Sequence, residues 1–272
     1  MAQTQDYINP ADVDKIVEDW LASEYGDVLD DEVDFVQTRA TRIIAARLRD
    51  AVEDQFPFAL VTGPAGCSKT VTAKHFLRYV REQWPDLNTA WIHAQPSYEP
   101  GALLEDLALN LYITRTRRFR DLLGTVHTQL GAKRMVAVVD EAQRMPRDSY
   151  EVLKYLADET SSTFILIATE DFAPQIRRWR DIESRIGVIA EAEPVEADEL
   201  AQMPLLAGLP RASLQKIHDL TGGVMRDVLR LMKQIDRAIG KNADKGLNRA
   251  NFAPKNVTAV AKKLNLAGGG QP

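Results

Sequence analysis

An apolar run, Phe58-Ala59-Leu60-Val61, gives way to Gly63-Pro64-Ala65-Gly66-Cys67-Ser68-Lys69-Thr70, and a helical pattern of Ala73, Phe76, Leu77, Val80 and Trp84 follows. Strand, loop and helix is the succession these residues specify. The loop has the chemistry of a phosphate-binding turn. Backbone N–H groups at a helix N-terminus wrap a β-phosphate, the Lys69 ammonium neutralises β and γ oxygens, and the Thr70 hydroxyl suits Mg²⁺. Gly63, Pro64, Ala65, Gly66, Cys67, Ser68, Lys69 and Thr70 are therefore the expected nucleotide-binding residues. Ser68 stands where a last glycine ordinarily precedes the lysine, and its Cβ narrows the backbone conformations open there. The expected effect is on turnover more than on nucleotide binding.

A second run, Met135-Val136-Ala137-Val138-Val139, ends in Asp140-Glu141-Ala142. Near-continuous apolar residues mark a strand buried on both faces of a parallel sheet, and ligands bind at the carboxyl ends of such strands. Asp140 is expected to hold Mg²⁺ through its water shell, and Glu141 to polarise the water that attacks a γ-phosphate. Paired acids after a strand are often a solvated turn. Beside a phosphate-binding loop they point to an ATP or GTP site.

The chain of 272 residues has room for one large or two small domains, and the composition is that of a globular protein. The N-terminal residues lack a basic start and an apolar core of the kind a secretory signal needs, and no apolar run approaches the ~20 residues that span a bilayer. Cys67, the only cysteine, fits a reducing cytoplasm and reads as a tolerated small side chain. Charge is distributed unevenly. Residues 1–34 carry eleven acidic groups against Lys15, whereas Arg226 to Lys263 holds ten basic groups against three acidic ones. An acidic head and a basic tail suggest different partners, or solvated surface at both ends.

Periodicity places an amphipathic helix at Asp12 to Ala22, another after Phe35-Val36-Gln37-Thr38, and a strand from Thr89 to Ala94 whose end carries His93. A helix from Gly101 to Tyr112 runs into Thr114-Arg115-Thr116-Arg117-Arg118-Phe119-Arg120. Arginines with interleaved hydroxyls suit phosphate backbones, and they equally suit a solvated corner paired with acids. Strands follow at Thr163 to Thr169 and Val188 to Ala190. From Pro194 onward the pattern is helical: Glu199 to Leu205, Arg211 to Leu220 and Met225 to Ile239, with Gly222-Gly223 between the last two. Beyond Gly240 one weak basic helix, Pro254 to Leu264, is expected before a flexible Gly268-Gly269-Gly270 end.

This succession of parts, ending in a helical lid with Gly223-Val224-Met225-Arg226, resembles an AAA+ ATPase over roughly residues 35–240. Phe35-Val36-Gln37-Thr38, Val139-Asp140-Glu141-Ala142, Ala168-Thr169 and Ser184-Arg185-Ile186 are in addition similar to the ATPases that accompany DNA transposases, the MuB, TnsC and IstB type. The resemblance implies an α/β fold: a three-layer α/β/α P-loop domain with a five-stranded parallel sheet at 35–193 and a small helical lid at 194–240. An acidic segment, 1–34, precedes these, and a basic flexible tail, 241–272, follows. It implies ATP and Mg²⁺ as cofactors and Thr169 as the sensor that orients the attacking water. Arg185 becomes the arginine finger of a neighbouring subunit, with Arg178 and Arg180 as alternatives, and Arg226 the lid residue that reports nucleotide state. Phe35 and Val36 would line the adenine pocket. Double-stranded DNA without strong sequence preference, a transposase and further copies of the chain in a filament or ring are the implied partners, with Thr114, Arg115, Arg117 and Arg118 on the DNA backbone. A helicase-loader-like replication ATPase is the alternative function. So is a nucleotide-gated binding module with little hydrolysis, which Ser68 motivates and Glu141 argues against.

Overall fold

The computed structural model describes residues 35–113 and 118–266. The acidic segment 1–34 with its expected helix, the positions Thr114, Arg115 and Arg117, and the glycine-rich end lie outside the described residues. Helix α1 (Arg39–Glu53) opens the fold and leads through a short turn into β1 (Phe58–Thr62), whose five residues are all buried. Thr38 closes a capping box: its hydroxyl accepts from the Thr41 N–H at 3.1 Å while its own N–H donates to the Thr41 hydroxyl at 2.8 Å. Such caps are worth about 1 kcal/mol, and this one fixes the direction in which Phe35 and Val36 leave the helix.

From β1 the chain runs through α2 (Lys69–Gln83) and β2 (Asn88–His93), then α3 (Pro100–Asn110), α4 (Phe119–Ala132) and β3 (Met135–Asp140). Next are α5 (Arg147–Thr160), β4 (Thr163–Ile167), two short helices, α6 (Phe172–Ile176) and α7 (Arg180–Glu183), and β5 (Ile186–Glu191). The five strands lie in the order β2-β3-β4-β1-β5, and every pairing is parallel. Alternate strand residues face opposite ways. Ala59, Val61, Val138, Ile165 and Ile167 pack with Ile44, Leu48 and Val52 of α1 and Ala73, Phe76 and Val80 of α2. Leu60, Ala137, Val139, Phe164 and Leu166 pack instead with α3, α4 and α5 through Leu104, Leu107, Val126, Leu130, Leu153 and Leu156. The result is a three-layer α/β/α fold around a five-stranded parallel sheet. Each fully buried aliphatic side chain in it contributes roughly 1.5–3 kcal/mol.

The remaining helices, α8 (Ala197–Gln202), α9 (Arg211–Thr221), α10 (Met225–Gly240) and α11 (Pro254–Lys263), enclose a separate core of Leu200, Ile217, Val228, Leu231, Ile235 and their neighbours. Here the structure departs from the expected flexible tail at 241–272. Phe252, Val257 and Ala261 are buried in the lid core, and the Ser213 hydroxyl donates to the Phe252 carbonyl at 2.6 Å. A basic and weakly periodic stretch thus becomes ordered because three small or aromatic side chains fill a hole between α9 and α10. Strand boundaries differ from the sequence reading by one or two residues, since β2 and β5 extend as far as neighbouring strands offer partners.

The Arg39 N–H donates to the Glu199 carboxylate at 2.5 Å and so ties α1 to the lid, and within the lid the Val195 N–H donates to the Gly223 carbonyl at 2.9 Å. At Gly223 (φ +74°) a Cβ would lie 2.1 Å from the Val195 carbonyl oxygen. Gly223→Ala is therefore expected to lower unfolding stability by about 1–3 kcal/mol in urea titration, because backbone on both sides must shift. A change within about 0.5 kcal/mol would contradict this packing.

Candidate functional site

The strand order brings together loops that are far apart in the chain. Val61 pairs with Ile167 and Leu166 with Val139, so the ends of β1, β4 and β3 lie side by side at one edge of the sheet. The loop after β1, the Ala168-Thr169 pair after β4 and the Asp140-Glu141 pair after β3 consequently border a single cavity of about 280 Å³. Lid residues Met225, Arg226 and Leu229 close its other side.

The loop itself is shaped by two close approaches. A Cβ at Gly63 would lie 2.2 Å from the Ala192 carbonyl oxygen, and one at Gly66 would lie 2.8 Å from a Val224 methyl group. The Arg226 N–H donates to the Gly66 carbonyl at 3.1 Å, so the lid grips the loop directly. Ser68 occupies the left-handed region (φ +60°, ψ +10°), which explains why glycine is usual there and where the strain of a serine resides. Cys67 is buried, and burial raises its thiol pKa, so it is a weak nucleophile.

Lys69 folds back on the loop: its ammonium donates to the carbonyls of Gly63 at 2.5 Å and Pro64 at 2.8 Å. Burial lowers its pKa, and Glu141 and Asp140 nearby work in the opposite sense. An incoming phosphate would exchange two neutral acceptors for anionic oxygens, which make stronger hydrogen bonds. Across the cavity the Thr70 hydroxyl lies 3.3 Å from the buried Asp140 carboxylate. A hydroxyl and a carboxylate at that separation suit a small hard cation completed by phosphate oxygens and water, as Mg²⁺ prefers. Among the described residues no group of three or more His, Cys, Asp or Glu side chains could hold a metal by itself.

Glu141 has a left-handed backbone (φ +59°) and lines the cavity, and its carboxylate already has partners. Gln143 Nε2 donates to Oε2 at 2.8 Å, and the Arg144 guanidinium lies 3.2 Å from the same oxygen while also donating to the Ala94 carbonyl at 3.3 Å. Neither Gln143 nor Arg144 stood out in the sequence. Their signal was the spacing of two and three residues after Glu141, which a tight turn converts into contact. His93 stands 3.8 Å from Asp140, half exposed at the end of β2.

The apolar lining of the cavity includes Phe35 and Val36 and, from the lid, Met225 and Leu229. Phe35 stacks on His75 with ring centroids 4.2 Å apart, and burial together with Arg78 lowers the His75 pKa. The stack therefore involves a neutral imidazole near neutral pH. Pro64 and Cys67 shape the loop without lining the cavity. Arg185 lies outside it, at the opposite ends of β1 and β5, where its carbonyl accepts from the Phe58 N–H at 3.1 Å. Arg178 and Arg180 lie outside it as well, and so does Arg118 at the N-cap of α4.

The fold and this cavity are those of a P-loop α/β domain. Residues 52–176 match the family described as "AAA domain". No curated protein matches the sequence. Among solved structures the chain is similar to Cdc6p from Pyrobaculum aerophilum, with TM-score 0.65 and 17% identity over 86% of this chain and 69% of that one. It is also similar to the ORC1 protein of Aeropyrum pernix in complex with DNA, with TM-score 0.61 and 17% identity over 87% and 68%. A third similarity is to domain III of the Thermotoga maritima replication initiation protein DnaA, with TM-score 0.55 and 16% identity over 84% and 94%.

Lys69→Ala removes the ammonium that the carbonyls of Gly63 and Pro64 hold beside the cavity. It is expected to weaken nucleotide binding at least about 100-fold in equilibrium titration with a fluorescent ATP analogue, as removal of a charge-assisted donor to two phosphates implies. Unchanged affinity would overturn the assignment of the cavity.

Proposed function

We propose that this chain is a DNA-associated AAA+ ATPase: it binds ATP with Mg²⁺, assembles on double-stranded DNA, and uses hydrolysis to control that assembly. The observation that carries the reading is the convergence of Lys69, Thr70, Asp140, Glu141, Thr169 and Arg226 on one cavity bridging sheet and lid. Thr70 and Asp140 would hold Mg²⁺, which when bound supplies charge neutralisation at the phosphate oxygens. Backbone N–H groups of the loop and Lys69 orient the triphosphate, and the apolar wall of Phe35, Val36, Met225 and Leu229 accepts a planar base. Glu141 takes a proton from the attacking water once it is freed from Gln143 and Arg144, and Thr169 helps orient that water. Arg226 senses the γ-phosphate from the lid. Its backbone bond to Gly66 means that lid position and loop position change together.

Arg185 cannot serve its own cavity from the far end of the sheet. It acts in this reading on the nucleotide of a neighbouring copy, which makes the active species an oligomer. For DNA, Arg118 supplies a cation at a helix N-terminus, where the helix dipole disfavours positive charge and anions are welcome. Arg115 and Arg117 extend the same basic stretch, and backbone contacts of this kind carry no sequence preference.

The likeness to a replication initiation protein supports a role of the helicase-loading kind more than transposition control. The second reading, recruitment of a transposase to target DNA, has the support of Phe35-Val36-Gln37-Thr38 and Ser184-Arg185-Ile186 alone. Co-sedimentation of the ATP-bound, DNA-bound assembly with a purified replicative helicase supports the first, and with a transposase the second. Among the described residues no helix is long and apolar enough to cross a membrane.

ATP turnover measured beside sedimentation, with and without duplex DNA, tests the whole. Large ATP-dependent assemblies on DNA with altered turnover are expected; a small species indifferent to DNA would refute the DNA role. Glu141→Gln should retain ATP binding, lose turnover by about 100-fold or more, and persist on DNA after wild-type protein has dissociated. Replacing Arg115, Arg117 and Arg118 together by alanine should reduce the slope of log affinity against log salt by about 2–3, one unit for each phosphate no longer neutralised. An unchanged slope would remove these arginines from the interface.

A further inference from the structure

Arg185 is held more firmly than a one-third-exposed side chain at the protein surface ordinarily is. Its Nε donates to both carboxylate oxygens of Asp158 at 2.8 Å, one terminal nitrogen lies 2.7 Å from the same carboxylate, and the other donates to the Asp181 carbonyl at 2.7 Å. A guanidinium has five N–H bonds in a rigid plane. Asp158 takes the side-on edge and Asp181 one further N–H. One N–H remains on each terminal nitrogen, with no partner among the described residues. These are free to meet a further acceptor such as a phosphate oxygen.

The clamp is anchored in depth. Arg147, Glu151, Lys154 and Asp158 recur at helical spacing along α5 and form one stripe. Arg147 reaches the Asp181 carboxylate at 3.2 Å and Lys154 at 2.8 Å, and Lys154 also pairs with Glu151. Asp181 is therefore fixed through its side chain while its carbonyl receives Arg185. On the other side α5 is buried in the core through Tyr150, Leu153, Leu156 and Ala157. The same helix begins just after Glu141 and the Arg144 that holds it. The stripe thus links the guanidinium through α5 to the turn that carries Glu141 and Arg144.

We propose that Asp158 is a positioning residue: it clamps Arg185 side-on, so that each subunit presents a pre-oriented pair of N–H donors to the nucleotide of its neighbour. The inference rests on the reading of Arg185 as a finger acting in trans. Pre-orientation matters here because a guanidinium on a flexible stem loses much rotamer freedom when it docks, and the clamp removes that freedom beforehand. The carboxylate also keeps the guanidinium on the face of α5 in the unassembled chain, where it would otherwise sweep freely through solvent.

Mixed assemblies on duplex DNA separate the two claims. Glu141→Gln subunits keep Arg185 but cannot turn over ATP, and Arg185→Ala subunits keep the cavity but lack the finger. Their mixture is expected to recover turnover that neither shows alone. A donor carrying Glu141→Gln together with Asp158→Ala should recover about 10–100-fold less, the range expected for a misplaced catalytic group. As the accepting partner, by contrast, Asp158→Ala mixed with Glu141→Gln should turn over ATP normally, which a merely unfolded variant could not do. Equal recovery by donors with and without Asp158 would overturn the positioning role and leave the finger intact. No recovery in the first mixture would overturn the finger, and this inference with it. A loss of turnover when Asp158→Ala is the acceptor would equally refute the proposal, because the effect would then lie in the cavity.

Discussion

The loop after β1 is confined from two sides, and the rest of the molecule depends on that confinement. The Ala192 carbonyl at the end of β5 presses on Gly63, while Val224 and Arg226 of the lid press on Gly66. Only residues without a Cβ fit at both points, so the path of the loop is fixed by its two neighbours. One of these contacts belongs to the sheet and the other to the lid. Any displacement of the loop would therefore act on both the sheet and the lid.

The charges around the loop are arranged for a ligand that brings more negative charge. Lys69 is half-buried and satisfied by two carbonyls, Asp140 is buried beside Thr70, and Arg226 waits on the lid. Glu141, by contrast, is engaged by Gln143 and Arg144, with Arg144 extending to the end of β2. In the proposed reading, Lys69 and Thr70 stand free of acidic partners other than Asp140 among the described residues, whereas Glu141 would first have to exchange Gln143 and Arg144 for a water. Arg185 lies outside the cavity and is held by Asp158 and Asp181.

Much of this was legible in the residues. The phosphate loop, the Asp140-Glu141 pair and the number of strands follow from apolar runs that end in glycine or acids, because burial in a parallel sheet and chemistry at its carboxyl edge both leave local marks. The partners of Glu141 left none, since Gln143 and Arg144 become neighbours of its carboxylate only through a left-handed turn. The order of the lid end was hidden for a related reason. Phe252, Val257 and Ala261 are too sparse to show as a periodic face, and they are buried because α9 and α10 leave space that they fill. The clamp on Arg185 joins residues from three elements, with Asp158 and Arg185 far apart along the chain.

Local chemistry, then, was settled by sequence: which turn can wrap a phosphate, which acids end a buried strand, which helices have an apolar face. Those features depend on residues within one turn or one strand of each other, where covalent geometry alone fixes what can touch. Tertiary structure decided the strand order that brings three loop ends to one cavity, the lid contact at Gly66, the holding of Glu141 and the orientation of Arg185. Each of these depends on close packing between distant segments, where a difference of one ångström separates a contact from a clash and no run of neighbouring residues records it.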